Sequence, residues 1–288
     1  MIRFSLSKLV MEMVGTCLLT MFFCCGHSGV ILLGLWILNV FFWKISGSHF
    51  NPAVTFAYMF RKDDKKMGWK IAVAYIIAQI IGAYIGALVI NFYSYSLPVL
   101  TYNDDFIMRA IFQELLCAFI YVFFFMTNTD EKLAFSNEKA INCFILASSF
   151  VGARAMFAGN IAGGSTAAAQ DAAQDAIDDA SQFLPDEAKD AAEDAADDIP
   201  DVGAVTTYGA VMNPAIALGI CFSALFSEGF DAWEAIYLYP TVPFGAAFLS
   251  VLFYELIYKK TQAFLANDDD HSDNSQDNDS TDHGVQHD

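Results

Sequence analysis

Hydrophobic residues in this chain fall in long uncharged runs, which is typical of a polytopic membrane protein rather than a soluble domain. A bilayer core is about 30 Å thick, so a helix needs about 20 apolar residues to cross it. Six runs approach or exceed that length, the second only when its flanks are counted: residues 9–25, 30–43, 69–92, 107–126, 140–158 and 232–258. The pattern predicts an all-α membrane protein with six transmembrane helices.

Two further apolar segments, 51–60 and 213–225, are too short to cross a bilayer, and each begins with Asn-Pro-Ala. Asn is a favourable N-cap, and Pro suits the first helical turn because its missing N–H has no partner there. Irregular backbone at membrane depth survives only when it is buried in protein or lines a water-filled path. Each segment therefore predicts a re-entrant half-helix. The motif residues are Asn51, Pro52, Ala53, Asn213, Pro214 and Ala215.

An internal repeat relates the two halves of the chain. Glu12 and Glu114, in the first spans of the two halves, are each followed by a Phe-Phe pair ten and eleven residues later. Three spans per half force the halves to insert with opposite orientation, so the two half-helices enter from opposite faces. Their positive ends and two Asn amides then meet near the midplane, which predicts a pore for a neutral molecule.

The negative charge of the chain belongs to two appendages rather than to the membrane body. Residues 164–203 hold twelve acids and one lysine, and residues 267–288 hold eight Asp, whereas the whole chain has a net charge of −18. We therefore divide the chain into a channel body (1–163 and 204–262), an Ala/Asp-rich insertion (164–203) and a tail (263–288). We favour short helices over disorder for the insertion and expect the tail to be disordered.

Lysine and arginine indicate the orientation in the membrane. If both termini are cytoplasmic, twelve of these residues lie inside and only Arg109, Arg154 and Lys189 lie outside. The insertion is then extracytoplasmic, in the plasma membrane or an internal membrane. The six cysteines lie within apolar runs without metal-ligand spacing, so we expect buried thiols and neither a disulfide framework nor a metal site.

The motifs resemble those of the aquaporin or major intrinsic protein family. The similarity rests on "EMVGTCLLTMFFCCG", "ISGSHFNPAVTFA", "YIIAQIIGAYIGA", "YGAVMNPAIALG" and "YPTVPFGAAFLSVLFYE", which cover both halves of the chain. The resemblance implies a homotetramer in the lipid bilayer with one pore per subunit. It also implies that Glu12 and Glu114 hold the re-entrant loops, which we favour over a proton-relay role.

The pore positions depart from the family pattern. The family places an Arg directly after the second Asn-Pro-Ala, where this chain has Ile216, and the filter position of the second span falls on Ile31. The missing Arg resembles the unorthodox, superaquaporin-like branch. Arg154 could replace it, although we favour an interfacial Arg that reaches lipid headgroups. His49 could gate the cytoplasmic entrance, although a packed neutral His is the preferred interpretation.

These features favour a passive channel for water, extending to other small neutral solutes, over the alternatives. A glycerol, ammonia or peroxide facilitator stays open because the two filter positions are apolar. A poorly conducting structural or junction protein and an ion channel are the alternatives from other classes. We expect no enzyme activity, no cofactor and no nucleic-acid partner, because no catalytic or nucleotide-binding constellation is present in the sequence.

Overall fold

Helices make up most of the chain that the structure describes. The computed structural model describes residues 6–25, 27–63, 65–94, 100, 107–130, 133–161, 210–233 and 236–265, and no β-strand occurs within these ranges. The helices are α1 (Leu6–Cys24), α2 (Ser28–Ser46), α3 (Pro52–Phe60), α4 (Trp69–Ser94), α5 (Ile107–Thr129), α6 (Lys139–Ile161), α7 (Pro214–Glu228) and α8 (Val242–Leu265). A 3-10 segment, Gly229–Trp233, follows α7, and a π-helical segment, Tyr254–Tyr258, lies within α8.

The lengths of these helices match the predicted membrane architecture. Within the described ranges, α1, α2, α4, α5 and α8 are long and apolar enough to cross a membrane. Helix α6 has 23 residues, which is also a spanning length. Helices α3 and α7 have 9 and 15 residues and are too short to cross. The predicted all-α membrane fold with two short half-helices is confirmed.

The last span begins about ten residues later than the apolar run predicts. The run starts at residue 232, whereas α8 starts at Val242 and continues to Leu265. Residues 236–240 form a turn that includes Pro240, and Pro243 occupies the first turn of α8. Proline cannot continue a helix from its N-terminal side without losing a backbone hydrogen bond, so the helix restarts here. Apolar composition alone does not separate turn from span.

The packing of the helices repeats when the two halves are exchanged. Helix α1 packs along α4, and α4 packs against α7, the half-helix of the second half. Correspondingly, α5 packs along α8, and α8 packs against α3, the half-helix of the first half. Each half therefore encloses the half-helix of the other, and this exchange brings the two motifs together.

Helices α1 and α4 approach each other closely because two glycines of α4 leave room for backbone contact. A Cβ atom built on Gly82 would overlap the carbonyl oxygen of Met13, and one on Gly86 would overlap that of Cys17. Small residues four positions apart are the usual means of close helix approach in membranes.

Several polar side chains are buried inside the bundle together with its apolar core, and many large apolar side chains are exposed on its outside. Glu12, Gln79 and Glu114 are fully buried, whereas Leu33, Phe41 and several isoleucines of α4 are exposed. Hydrocarbon solvates apolar groups and leaves polar groups without partners, so this distribution suits a bilayer. The insertion 164–203, with its predicted helices, and tail residues 266–288 lie outside the described residues.

Candidate functional site at the paired Asn-Pro-Ala turns

The first motif starts α3 as the N-cap pattern predicts. Asn51 has an extended backbone (φ −152°, ψ 119°), and its Oδ1 accepts a hydrogen bond of 2.8 Å from the N–H of Ala53. Pro52 is the first helical residue. The side chain thus satisfies one of the N–H groups that have no partner at a helix start.

The second motif repeats this geometry at the start of α7. Asn213 is extended (φ −139°, ψ 104°), and its Oδ1 accepts from the N–H groups of Ala215 at 3.0 Å and Ile216 at 3.4 Å. Pro214 is the first helical residue. Both half-helices therefore begin at a capped Asn.

The two asparagines join the motifs to each other by reciprocal hydrogen bonds. Nδ2 of Asn51 donates to the carbonyl of Met212 at 2.8 Å, and Nδ2 of Asn213 donates to the carbonyl of Phe50 at 2.9 Å. Each acceptor is the residue that precedes the other asparagine. The N-termini of α3 and α7 consequently meet, and the positive ends of two helix dipoles face one point of the fold.

Two buried glutamates hold the chain segments that lead into the motifs. Glu12 accepts from the N–H groups of His49 at 3.0 Å and Phe50 at 2.7 Å. Glu114 accepts from the N–H groups of Val211 at 2.8 Å and Met212 at 2.5 Å. The contacts are equivalent in the two halves, and they occupy backbone donors that no helix or strand would otherwise satisfy.

The same segments carry backbone strain. Ser48, Phe50 and Met212 have positive φ values of 52°, 45° and 56°, although none of them is glycine. Such a conformation costs about 1–3 kcal/mol per residue and persists only where the surroundings impose it. The carboxylates of Glu12 and Glu114 bind the backbone at or beside these residues and so offset part of that cost.

His49 lies in a packed environment. Its side chain is buried, its Nδ1 is 3.1 Å from Oγ1 of Thr55, and its ring contacts those of Tyr58, Tyr75 and Phe125. Of the two sequence hypotheses for this residue, the geometry favours the packed His over a gate.

The two residues that the sequence predicts for the filter are apolar and buried. Ile31 is 1% exposed and Ile216 is fully buried, and Ile216 lies in the first turn of α7. For Arg154 we expected a side chain that reaches lipid headgroups, whereas its guanidinium contacts other parts of the protein. Its Nη1 donates to the carbonyl of Ala210 at 2.7 Å, so its charged end turns inward toward the second motif. The guanidinium is stabilised within the protein by the buried carbonyl of Ala210 and the aromatic ring of Phe23.

The sequence interpretation overlooked Gln79, a fully buried residue of α4. Its Nε2 donates to Glu12 Oε2 at 2.8 Å and to Oγ1 of Thr55 at 2.9 Å. It therefore links the glutamate that holds the first loop to the half-helix itself. A glutamine in the middle of an otherwise apolar span is the signal that could have identified it.

A second overlooked residue, Arg61, ends α3 with a buried ion-pair network. Its Nη2 lies 2.6 Å from Asp63 and donates to the hydroxyl of Tyr254, while Nη1 donates to the carbonyl of Met126. Burial would raise the pKa of Asp63, but the hydrogen bond and charge of Arg61, together with the charge of Lys259, lower it to about 2. The network ties the half-helix to α5 and α8.

Comparison with known proteins gives one family and one characterised relative. Residues 26–180, just over half of the chain, match the family described as Major intrinsic protein. The Glycerol uptake facilitator protein of Bacillus subtilis (strain 168) is 38% identical over 112 residues, which cover 33% of this chain and 39% of that protein. The chain thus matches about two fifths of the facilitator's length. The family match covers the first motif and ends before the second.

Proposed function

The chain belongs to the major intrinsic protein family, and we propose that it conducts water, together with other small neutral solutes, between its two Asn-Pro-Ala turns. It is an integral, multi-pass membrane protein of a channel family and not an enzyme. The observation that carries the proposal is the reciprocal pairing of Asn51 and Asn213 at the facing ends of α3 and α7.

The paired turns favour a neutral permeant for two reasons. Each Asn Nδ2 carries two hydrogens, and the carbonyl of the opposite segment takes one of them, which leaves a donor for the oxygen of a passing molecule. Two helix N-termini at one point create a positive potential that opposes cations and hydrated protons. Water or a hydroxyl group meets both conditions because it accepts a hydrogen bond without carrying charge.

Glycerol is the second candidate permeant, and two observations favour it. Ile31 and Ile216 are apolar, so a filter formed by them would accept the carbon chain of a polyol better than a polar filter would. The relative with 38% identity is named a glycerol uptake facilitator. Ammonia and peroxide are further small neutral candidates for the same filter.

A homotetramer with both termini in the cytoplasm is the assembly and orientation that we propose.

Stopped-flow light scattering on proteoliposomes tests the proposal, first with a sucrose gradient and then with a glycerol gradient. Rapid shrinkage in sucrose supports the water channel, and rapid glycerol entry extends it to polyols. Ile216→Arg should reduce glycerol entry more than water flux, whereas the matched control Ile216→Leu, which adds no charge, should leave both close to wild type. Absence of both fluxes would refute the channel and favour a structural role, and ionic conductance under voltage clamp would favour an ion channel.

A further inference from the structure

Basic residues are concentrated in two stretches that meet at one end of the helical bundle. Residues 61–70, around the connection from α3 to α4, and residues 255–260, within α8, together hold seven Lys or Arg and three acids. The two stretches are in contact, because the N–H of Lys62 donates to Oε1 of Glu255 at 3.1 Å. We call the surface that they form the basic rim.

Within the described ranges, the acids of the basic rim pair with cations of the protein. Oδ2 of Asp63 lies 2.6 Å from Nη2 of the buried Arg61 and 3.3 Å from Nζ of Lys259. The side chain of Glu255 is only 7% exposed, and its Oε2 lies 3.5 Å from the same Nζ. These two carboxylates therefore serve the packing of α8 against the α3–α4 connection.

Four lysines of the basic rim are exposed: Lys62, Lys66, Lys70 and Lys260. In the part of the chain that the structure describes, none of their ammonium groups lies in an ion pair. Nζ of Lys70 lies 5.5 Å from the ring centre of Trp69, which is 63% exposed. The rim thus presents a cluster of cations, with an aromatic ring among them, to an external anion.

The exposed lysines lie at the ends of apolar surfaces that face the lipid. Trp69, Val73 and Ile77 follow one another at intervals of four residues on α4, and all three are exposed. On α8, the exposed Leu256 lies one turn before Lys260. Trp and Lys at the end of a spanning helix occupy the headgroup region of the bilayer. The ammonium groups are therefore at the depth of the lipid phosphates.

We propose that the basic rim binds the phosphate of an anionic phospholipid, whose acyl chains lie along the exposed apolar side chains of α4 and α8. Clusters of about four to eight Lys or Arg beside the end of a transmembrane helix attract anionic lipids, with about fivefold in affinity per residue. The neighbouring apolar side chains favour a lipid over a soluble anion, because they contact its hydrocarbon part. The inference does not depend on which molecule the channel conducts.

Binding of phosphatidylglycerol to the purified full-length chain in an uncharged detergent tests the proposal. The lipid is labelled on an acyl chain, and phosphatidylcholine with the same label is the reference. We expect wild type to prefer phosphatidylglycerol, and we expect added salt to weaken this preference. Lys66→Gln combined with Lys70→Gln should reduce the preference about tenfold or more, because two of the four exposed charges are removed.

The matched control is Lys44→Gln combined with Lys139→Gln. It removes the same charge from two exposed lysines at the end of α2 and the start of α6, outside the basic rim. The preference for phosphatidylglycerol should then change by less than about twofold. Lys66→Arg combined with Lys70→Arg keeps the charge and should keep the preference, which separates loss of charge from loss of folding.

Three results would overturn the proposal: equal affinity of wild type for the two lipids, equal losses in the rim and control variants, or loss of the preference in the arginine variant. The competing occupant of the rim is the acidic tail of the chain, whose residues 267–288 hold eight Asp. If the tail covers the rim, wild type shows no preference, and the preference emerges only when these Asp are replaced by Asn. That result would overturn the lipid as the occupant.

Discussion

Replacement of Glu114 by alanine tests the structural basis of the second motif most directly. The carboxylate accepts from Val211 N at 2.8 Å and from Met212 N at 2.5 Å, and its side chain is fully buried. Alanine would leave both N–H groups buried without an acceptor, at about 1–3 kcal/mol each, so we expect a total loss of about 2–6 kcal/mol. Glu114→Gln retains one carbonyl oxygen and should lose about half as much.

The loss should appear in both stability and transport. Thermal unfolding of the detergent-solubilised protein should show midpoints in the order wild type, Glu114→Gln, Glu114→Ala, with steps of several degrees. Water flux should fall in the same order, because Met212 has φ 56° and would relax away from Asn51 once released. The control is Glu138→Ala, which makes the same chemical change at an exposed site and should change stability by no more than about 0.5 kcal/mol. Equal midpoints and fluxes for Glu114→Ala and Glu138→Ala would refute the reasoning.

Three further predictions concern packing and the ion-pair network. Gly82→Ala should destabilise the bundle by about 1–3 kcal/mol in thermal unfolding, because the added methyl overlaps the Met13 carbonyl. The control Gly152→Ala adds a methyl that meets no atom within 4 Å and should be neutral or slightly stabilising. Equal effects of the two substitutions would contradict the close approach of α1 and α4. Arg61→Ala should lower the free energy of unfolding by about 3–5 kcal/mol, because it removes the buried partner of the Asp63 carboxylate, and Arg61→Lys should recover only part of that loss. The pKa of Asp63 is lowered from 3.8 to about 2, so the stability it contributes is complete above pH 3.8 and is lost as the pH falls through 2. The stability difference between wild type and Asp63→Asn should therefore be constant from pH 7 to about pH 4.5 and disappear near pH 2. A difference that already shrinks at pH 5 would contradict the lowered pKa of Asp63.

The starts of the half-helices could be predicted because they depend on local sequence. Asn followed by Pro favours a capped helix start, and in the structure α3 and α7 begin at Pro52 and Pro214. The start of α8 could not be predicted from hydrophobicity, since residues 232–241 are largely apolar but include a turn at Pro240. The roles of the motif, filter and loop-supporting residues stay predictions that the permeability experiments test.

The partners of buried polar side chains could not be predicted, because they are far apart in the chain. Gln79 lies 67 residues from Glu12, and Arg61 lies 193 residues from Tyr254, yet both pairs are hydrogen-bonded. Sequence spacing indicated only that a polar group stood within or beside an apolar segment. In lipid such a group must find a partner, but which partner it finds depends on how the helices pack.

The amino-acid sequence by itself determined the membrane class, the long apolar helices and the two capped half-helices, because hydropathy and N-capping act over a few residues. Only the tertiary structure decided that each half encloses the other's half-helix, so that Asn51 and Asn213 bind the opposite chain segment. It also decided that Arg154 turns inward to the carbonyl of Ala210 instead of outward to the lipid headgroups. A side chain at the end of a span can satisfy its charge in either direction, and the position of an acceptor 56 residues away selects between them.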